Sequence, residues 1–547
     1  MQCEFKFISS LDKVFFDWED SFQQVKGGST FQNEIHSFQL VGYLSDTPVS
    51  RKKFNLEIES ELKEYITVQK VGYVPSRVPC MPECRDEDYL SKRPGLFPDP
   101  LFALSENQIE LFGGQARSFW ISVEPKSVPG GIYPIRIQIR NELGETVGDL
   151  TYKLEVLNAE LPESRLKNTG WFHGDCIAML HGTETLSERH YELLEKYIAV
   201  YVKFGHNMIL TPLFTPPLDT AVGGERPTIQ LVGVIVENGR YKFEFAHLKK
   251  WVDICCRNGI KYFEMTHFFT QWGAGFAPKI MATVDGCYRQ IFGWNTPADS
   301  PEYVAFLKQF LPELLRKLLE FGLSKEQCYF HVSDEPGAEH LENYQRAKAI
   351  IEPYLQGYPI IDALSSYELY TSGAVEKPVV STNHVRPFLE NGVRDFWVYY
   401  CTSQGEDVAN RYMAMPSYRN RILGWQLYKY QIDGFLQWGF NFWYSQYSLE
   451  VINPYVTTDA GGGFQSGDAF VVYPTDGEDR VVCSLRLYVF NEGMNDFRAL
   501  CMLEQYMGRE AVIAWLDEIV GFDRYPRQIS YILNLRERVN QKIKEYL

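Results

Sequence analysis

The chain has 547 residues, 45% of them hydrophobic and 23% charged, which fits a folded protein of more than one domain and excludes long disordered stretches. A formal charge of −16 repels phosphate backbones and anionic headgroups, so no nucleic acid and no membrane is expected as a partner. There is no run of 18 apolar residues, and MQCEFKFISSLDKVFFDWED lacks a basic segment followed by an apolar core, so the expectation is a cytoplasmic protein without a membrane span.

Residues 1–162 read as an antiparallel β-sandwich domain. Apolar residues recur at every second position in SFWISVE (Phe119, Ile121, Val123), PIRIQIR (Ile135, Ile137, Ile139) and DLTYKLEVL (Leu150, Tyr152, Leu154, Val156), the period of half-buried strands. Asn141-Glu142-Leu143-Gly144 and Pro129-Gly130-Gly131 mark turns between them. RVPCMPECRDEDYLSKRPGLFPDP, rich in Pro and charge, is an irregular excursion.

After Leu161-Pro162 strand-like and helical runs alternate. KNTGWFHGD, NMILTPLF, IKYFEMTHFF, CYFHV, IIDALS, PVVSTN, DFWVYYC, ILGWQL and GFLQWGFNFW read as strands. Helices are predicted in SERHYELLEKYIAVYVKFG, in FAHLKKWVDICCRNG with Gly259 at its C-terminal cap, and in SPEYVAFLKQFLPELLRKLLEFG. The last has Ser300 as N-cap and Pro301 at its first position, and Pro312 is expected to kink it. A further helix follows in EHLENYQRAKAIIEPYL. Eight or nine strands with helices between them fit a (β/α)8 TIM-like barrel over residues 163–500. No G-x-G-x-x-G follows the first strand, which disfavours a doubly wound sheet. Residues 501–547 form a C-terminal helical segment expected to pack on the barrel. The fold class is thus α/β, with the sandwich preceding the barrel.

In such a barrel the chemistry sits where strands end. After CYFHV come Ser333-Asp334-Glu335-Pro336. Adjacent carboxyls in a buried setting raise one pKa, and a raised carboxyl serves as a general acid near neutrality. Pro336 is expected to hold Glu335 extended. The alternative is that Ser333 or Asp334 only caps the next helix. The other Asp-Glu pairs, Asp86-Glu87 and Asp517-Glu518, read as solvated surface.

Other strand ends supply candidate substrate-binding groups: His173 and Asp175 after the first; His267, Gln271 and Trp272 after the third; Tyr399 and Tyr400; Trp425 and Tyr428; and Trp438, Asn441 and Trp443. Singly each reads as core packing. Clustered, they suit a sugar site, which needs aromatic walls and a few polar groups. The aromatic content of 15% is compatible with both. His173 and His181 are not at metal-ligand spacing, and the 11 cysteines, with Cys80/Cys84 and Cys255/Cys256 as the only close pairs, complete no zinc pattern, so reduced thiols and no metal or cofactor are expected. No G-x-S-x-G elbow occurs, and Gly461-Gly462-Gly463 lacks the Lys-Ser/Thr of a phosphate loop.

HVSDEP, GWQLYKYQIDGFLQWGFNFW, and GDAFVVYP followed by SLRLYVFNEGMNDF together resemble glycoside hydrolase family 123, also catalogued as domain of unknown function 4091. LEVLNAELPE resembles the end of that family's N-terminal domain, and the resemblance spans about residues 110–510. It implies a retaining β-N-acetylgalactosaminidase acting on a small carbohydrate or glycoconjugate. Catalysis would be substrate-assisted, the 2-acetamido oxygen attacking the anomeric carbon. Glu335 would be acid/base, Asp334 would orient the acetamido group, and Tyr399 or Tyr400 would hold its oxygen. Phe490 and Phe497 depart from the Arg-rich, Tyr-containing helix start usual in the family, which leaves the sugar open. Two alternatives remain: a two-carboxylate glycosidase with a second acid such as Glu264 or Asp175 roughly 5–9 Å from Glu335, or a non-catalytic carbohydrate-binding protein.

Overall fold

The computed structural model describes residues 2–17, 21–475 and 480–547. Met1 and residues 18–20, part of the stretch read for a leader, lie outside the described residues.

The alternating segments pair as two five-stranded sheets. One runs in the order Gln2–Ser9, His36–Ser45, Ala116–Val123, Ile66–Ser76, Gly95–Ala103. The other runs Gly27–Phe31, Thr146–Leu157, Gly131–Arg140, Arg51–Glu59, Gln108–Phe112. All pairs are antiparallel except Gly27–Phe31 with Thr146–Leu157, which is parallel. Ile135 faces Tyr152 and Ile137 faces Leu150 across the expected hairpin, whose Gly144 takes φ +78°. Phe38, Leu40, Phe119 and Ile121 of one sheet share a core with Ile135, Ile137, Ile139 and Leu154 of the other. Period-two burial is what closes the sandwich.

Eight parallel strands follow: Lys167–Gly170, Met208–Thr211, Tyr262–Met265, Cys328–Tyr329, Ile361–Leu364, Lys377–Ser381, Trp397–Tyr399 and Gly434–Gln437. The first pairs with the eighth, and a bridge between Phe330 and Ile360 links the fourth to the fifth, so the ring is nearly closed. Met208, Leu210, Tyr329, Ile361, Val379, Trp397 and Leu436 point inward. Their neighbours Ile209, Phe263, Val380, Val398 and Phe435 pack outward against helices. The ring departs from an ideal (β/α)8 repeat. The helices Tyr367–Thr371 and Arg386–Glu390 have five residues each, and a four-stranded sheet built from 233–244 and 280–292 is inserted after the second and third strands. The helix Pro301–Glu320 begins with Ser300 accepting from the Tyr303 N–H, as expected, and continues through Pro312.

One predicted strand is corrected. ILGWQL lies in the helix Ser417–Lys429. Every residue from Ser417 to Tyr428 is buried, so the helix shows no polar face and no 3.6 period to betray it. It packs on the helix Leu485–Met507, which is buried along most of its length and contains Phe490 and Phe497. The contact is backbone to backbone: a Cβ on Gly424 would lie 1.8 Å from the Gly493 carbonyl oxygen. The C-terminal helix Ile529–Lys544 packs on Leu485–Met507 and also on strand Gly27–Phe31 of the sandwich. No helix among the described residues is long and apolar enough to cross a membrane.

Because no flexible side chain can yield at that crossing, Gly424→Ala is expected to destabilise the protein by about 1–3 kcal/mol or more. Thermal unfolding of the purified variant beside wild type checks this; an unchanged midpoint would show that the two helices can separate freely.

Candidate active site

At the C-terminal end of the barrel lies a cavity of about 210 Å³ bordered by Asp334 and Glu335. Trp171, Trp438 and Tyr399 form aromatic walls, and Trp272 and Tyr447 contribute exposed rings that meet edge to face at 6.0 Å. The volume lies below that of a typical drug-sized pocket, ~300–1,000 Å³. A larger cavity, about 510 Å³, opens between the sandwich and the C-terminal helix, away from these acids. Its Arg421 and Arg536 are already paired with Glu492, Asp496 and Glu34.

Asp334 and Glu335 follow the shortest barrel strand. The helix-cap alternative does not describe them: Ser333 donates to the Thr270 carbonyl at 2.9 Å, and the helix Leu341–Ile351 starts at His340. Nor is Glu335 extended. It takes φ +43°, the left-handed region, which an L-residue holds only when its surroundings over-determine it. Tyr399 Oη donates to Glu335 Oε1 at 2.6 Å, and the Trp272 N–H donates to the Asp334 carbonyl at 3.1 Å. Burial raises the Glu335 pKa against the Tyr399 bond. Burial, then the Glu335 charge, raises Asp334 well above the usual carboxylate range, against the pull of His331. Two neighbouring acids thus compete for one proton.

Beneath them lies a buried ion network. His331 bonds Glu264 through Nε2 at 2.7 Å and Asp362 through Nδ1 at 3.1 Å. Glu264 also accepts from Thr169 Oγ1 and Trp171 Nε1, both at 2.7 Å. Asp362 accepts from Tyr344 Oη at 2.5 Å and from the Val332 N–H. Burial alone would lower His331; its bonds to Asp362 and Glu264 outweigh that and push it up to about 10. His267, His331 and Asp362 each bring one ligand-type atom within 4.8 Å of the others. An imidazolium bonded through both nitrogens has no lone pair for a metal, so the group reads as a proton network.

Six of the residues expected from sequence border the cavity: Asp334, Glu335, Gln271, Trp272, Tyr399 and Trp438. Six do not. His173 braces the wall from behind, with Nε2 against the Trp438 carbonyl at 3.0 Å, and Asn441 holds both the N–H and the carbonyl of His173 at 2.9 Å. His267 stacks on His331 at 4.1 Å. Tyr400 faces away from Tyr399, as successive strand residues must, and packs on Phe435. Trp425, on its buried helix, donates to Asp496, and Trp443 donates to the Val472 carbonyl. Of the acids expected as a second carboxyl, Glu264 belongs to the buried network and Asp175 is sealed against Arg226 at 2.8 Å. Trp171, Asp219, Tyr447 and Phe464 border the cavity without having been singled out. Trp171 stood in a strand already read, KNTGWFHGD.

The family model described as "Glycoside hydrolase 123, catalytic domain" matches residues 171–503, which takes in every group of this cavity. The chain belongs to glycoside hydrolase family 123. No curated protein sequence matches it. Among solved structures, a family 123 glycoside hydrolase from Clostridium perfringens, described in a study of glycolipid glycan hydrolysis, aligns over 100% of this chain and 98% of its own with a TM-score of 0.75 and 15% identity. That likeness is one of fold. A β-D-glucuronidase from Dictyoglomus thermophilum aligns over 90% of this chain and 97% of its own at TM-score 0.34 and 9% identity. A family 2 β-galacturonidase from Eisenbergiella tayi covers 90% and 73% at 0.31 and 10%. This family 123 chain is therefore a glycoside hydrolase whose substrate is a carbohydrate or glycoconjugate.

Removing the buried cation leaves two carboxylates facing each other. His331→Gln is expected to cost about 3–5 kcal/mol. In wild type the folded-state pKa of His331 lies above its unfolded value. Its stabilisation is therefore complete below about pH 6.5 and is lost as pH rises toward 10. Denaturant unfolding at pH 6, 8 and 9.5 should show that decline in wild type and a flatter profile in the variant.

Proposed function

We propose that this glycoside hydrolase is a retaining β-N-acetylgalactosaminidase that uses the substrate's own 2-acetamido group as nucleophile. The acetamido oxygen attacks the anomeric carbon while Glu335 protonates the departing glycosidic oxygen. The C–O bond to the aglycone breaks, and an oxazolinium ion forms on the sugar. Glu335, now a carboxylate, takes a proton from water, which opens the ion with net retention. Asp334 accepts the acetamido N–H and balances the positive charge. Tyr399, already within reach of Glu335, is placed to hold the acetamido oxygen.

The observation that carries this reading is the adjacency of Asp334 and Glu335 on one cavity edge. Neighbouring carboxyls cannot flank a sugar ring from opposite faces, as acid and protein nucleophile must. They can serve one sugar from the same side, one acting on the leaving oxygen and one on the acetamide. Family membership and the three aromatic walls support a sugar as ligand. A two-carboxylate mechanism keeps one candidate, because Asp219 also borders the cavity.

Hydrolysis of 4-nitrophenyl N-acetyl-β-D-galactosaminide should fall by 10²-fold or more in Glu335→Gln, roughly the contribution of a general acid. A thiazoline mimic of the oxazoline should inhibit wild type competitively. If only glycosides without a 2-acetamido group are cleaved, substrate assistance is wrong. If Asp219→Ala abolishes turnover and traps no oxazoline, the two-carboxylate mechanism replaces it.

A further inference from the structure

We infer that Asp219 is a specificity-determining residue of this cavity, its carboxylate accepting hydrogen bonds from ring hydroxyls of the bound sugar. The inference rests on the glycosidase reading and adds to it a group outside the Asp334–Glu335 pair.

Asp219 lies in the loop after the second barrel strand with φ +39°. Bonds from two other loops hold it there. Its N–H donates to Gln271 Oε1 at 2.6 Å, and its carbonyl accepts from Ser448 Oγ at 2.7 Å. Its Oδ2 accepts from the Tyr447 N–H at 3.0 Å. Gln271 precedes Trp272, whose N–H is bonded to the Asp334 carbonyl. A short chain of hydrogen bonds thus fixes Asp219 relative to the catalytic pair. A group so placed can read a sugar's orientation against the scissile bond.

Several other polar groups around the cavity are bonded within the protein. Gln271 uses its amide on the Thr220 carbonyl and its oxygen on Asp219. The indole N–H groups of Trp171 and Trp438 are given to Glu264 and Asp468. Tyr399 is given to Glu335. Asp219 borders the cavity, and its Oδ1 has no hydrogen-bond partner among the described residues. An ionised carboxylate only accepts, and a sugar ring presents O–H donors.

Its surroundings do not favour the charge. Leu218, Trp272 and Tyr447 line the same wall, and burial pushes the Asp219 pKa up to about 6. The Tyr447 N–H bond and then Arg226, whose carboxylate partner is Asp175, pull the pKa back only in part. With the folded pKa above the unfolded value of 3.8, stability falls as pH rises from about 4 to about 6, so the charge is kept at the expense of stability, as binding groups commonly are.

Asp219→Asn retains an oxygen for the Tyr447 N–H and removes the charge, so the loops stay tied. The test combines two readouts. Binding of N-acetylgalactosamine and of its 3-, 4- and 6-deoxy methyl glycosides is followed by tryptophan fluorescence in the Glu335→Gln background, with and without Asp219→Asn. Thermal midpoints of wild type and Asp219→Asn are recorded at pH 4.5 and 7.5. Asp219→Asn is expected to weaken binding of the parent sugar by roughly 10- to 100-fold, the loss of a hydrogen bond to a charged group. The penalty for one deoxy position should vanish in the variant, which names the hydroxyl. The midpoint should rise at pH 7.5 and rise distinctly less at pH 4.5. Unchanged binding with every deoxy penalty intact would overturn the inference, and if Glu335→Gln still abolishes wild-type turnover the glycosidase reading survives it. Wild type that binds the sugar through Asp219 yet cleaves no aryl glycoside would sink the glycosidase reading and leave the inference standing.

Discussion

Taking two carboxylates and an imidazole out of water is costly for each group alone, and Glu264, His331 and Asp362 offset that cost only as a set. Much of the barrel mouth depends on this. Glu264 fixes the first and third strands to each other through Thr169 and aims the Trp171 indole. Asp362 ties the fifth strand to the backbone at Val332, two residues before Asp334. The left-handed turn at Glu335 therefore starts from a backbone that cannot drift. The strand leading to it is only two residues long, so ladder hydrogen bonds alone would give little rigidity. The charged network supplies what a longer strand would have supplied elsewhere.

The sandwich contributes to the site by bracing it. Its irregular excursion reaches the loop that carries Cys401, Thr402 and Ser403 on the cavity wall. Tyr89 Oη and Cys84 Sγ donate to the Gly405 carbonyl, and Asp86 accepts from the Asp407 N–H and from Arg419. Deeper in the joint, Arg486 forks onto Asp99, and Lys13 donates to the carbonyls of Met413 and Met415. These are buried, geometrically demanding contacts. They fix one relative placement of the two halves in a way that apolar packing, which tolerates sliding, does not.

What the sequence disclosed followed periodicity. Half-buried strands such as Ile135-Ile137-Ile139 and one-sided helices such as Pro301–Glu320 carry their burial pattern in their order of residues. The helix Ser417–Lys429 carries none, because Arg419, Asn420, Arg421 and Gln426 find buried partners and every side faces protein; a short apolar run then reads as a strand. The catalytic-type pair was legible because acids at a strand end are conspicuous. Tyr399 and Tyr400 could not be separated until the strand direction was known. Asp219 gave no signal, since it stands in a Pro- and Thr-rich loop and gains its setting from Gln271 and Tyr447, which lie far off in sequence.

The proton shared by Asp334 and Glu335 links the electrostatics to the choice of substrate. Without a sugar, Tyr399 donates to Glu335 and favours its anion, while burial and the Glu335 charge press the proton onto Asp334. That is the reverse of the pattern the proposed reaction needs. In the proposed reaction, an arriving 2-acetamido group would bring an N–H to stabilise an Asp334 anion and an oxygen to compete for the Tyr399 hydroxyl. Both changes would move the proton toward Glu335, where it could be given to the leaving oxygen. On this reading the acetamido group does more than attack the anomeric carbon: it sets the protonation state of the pair. A sugar with a plain 2-hydroxyl would lack the nucleophile and would also leave the acid on the wrong residue.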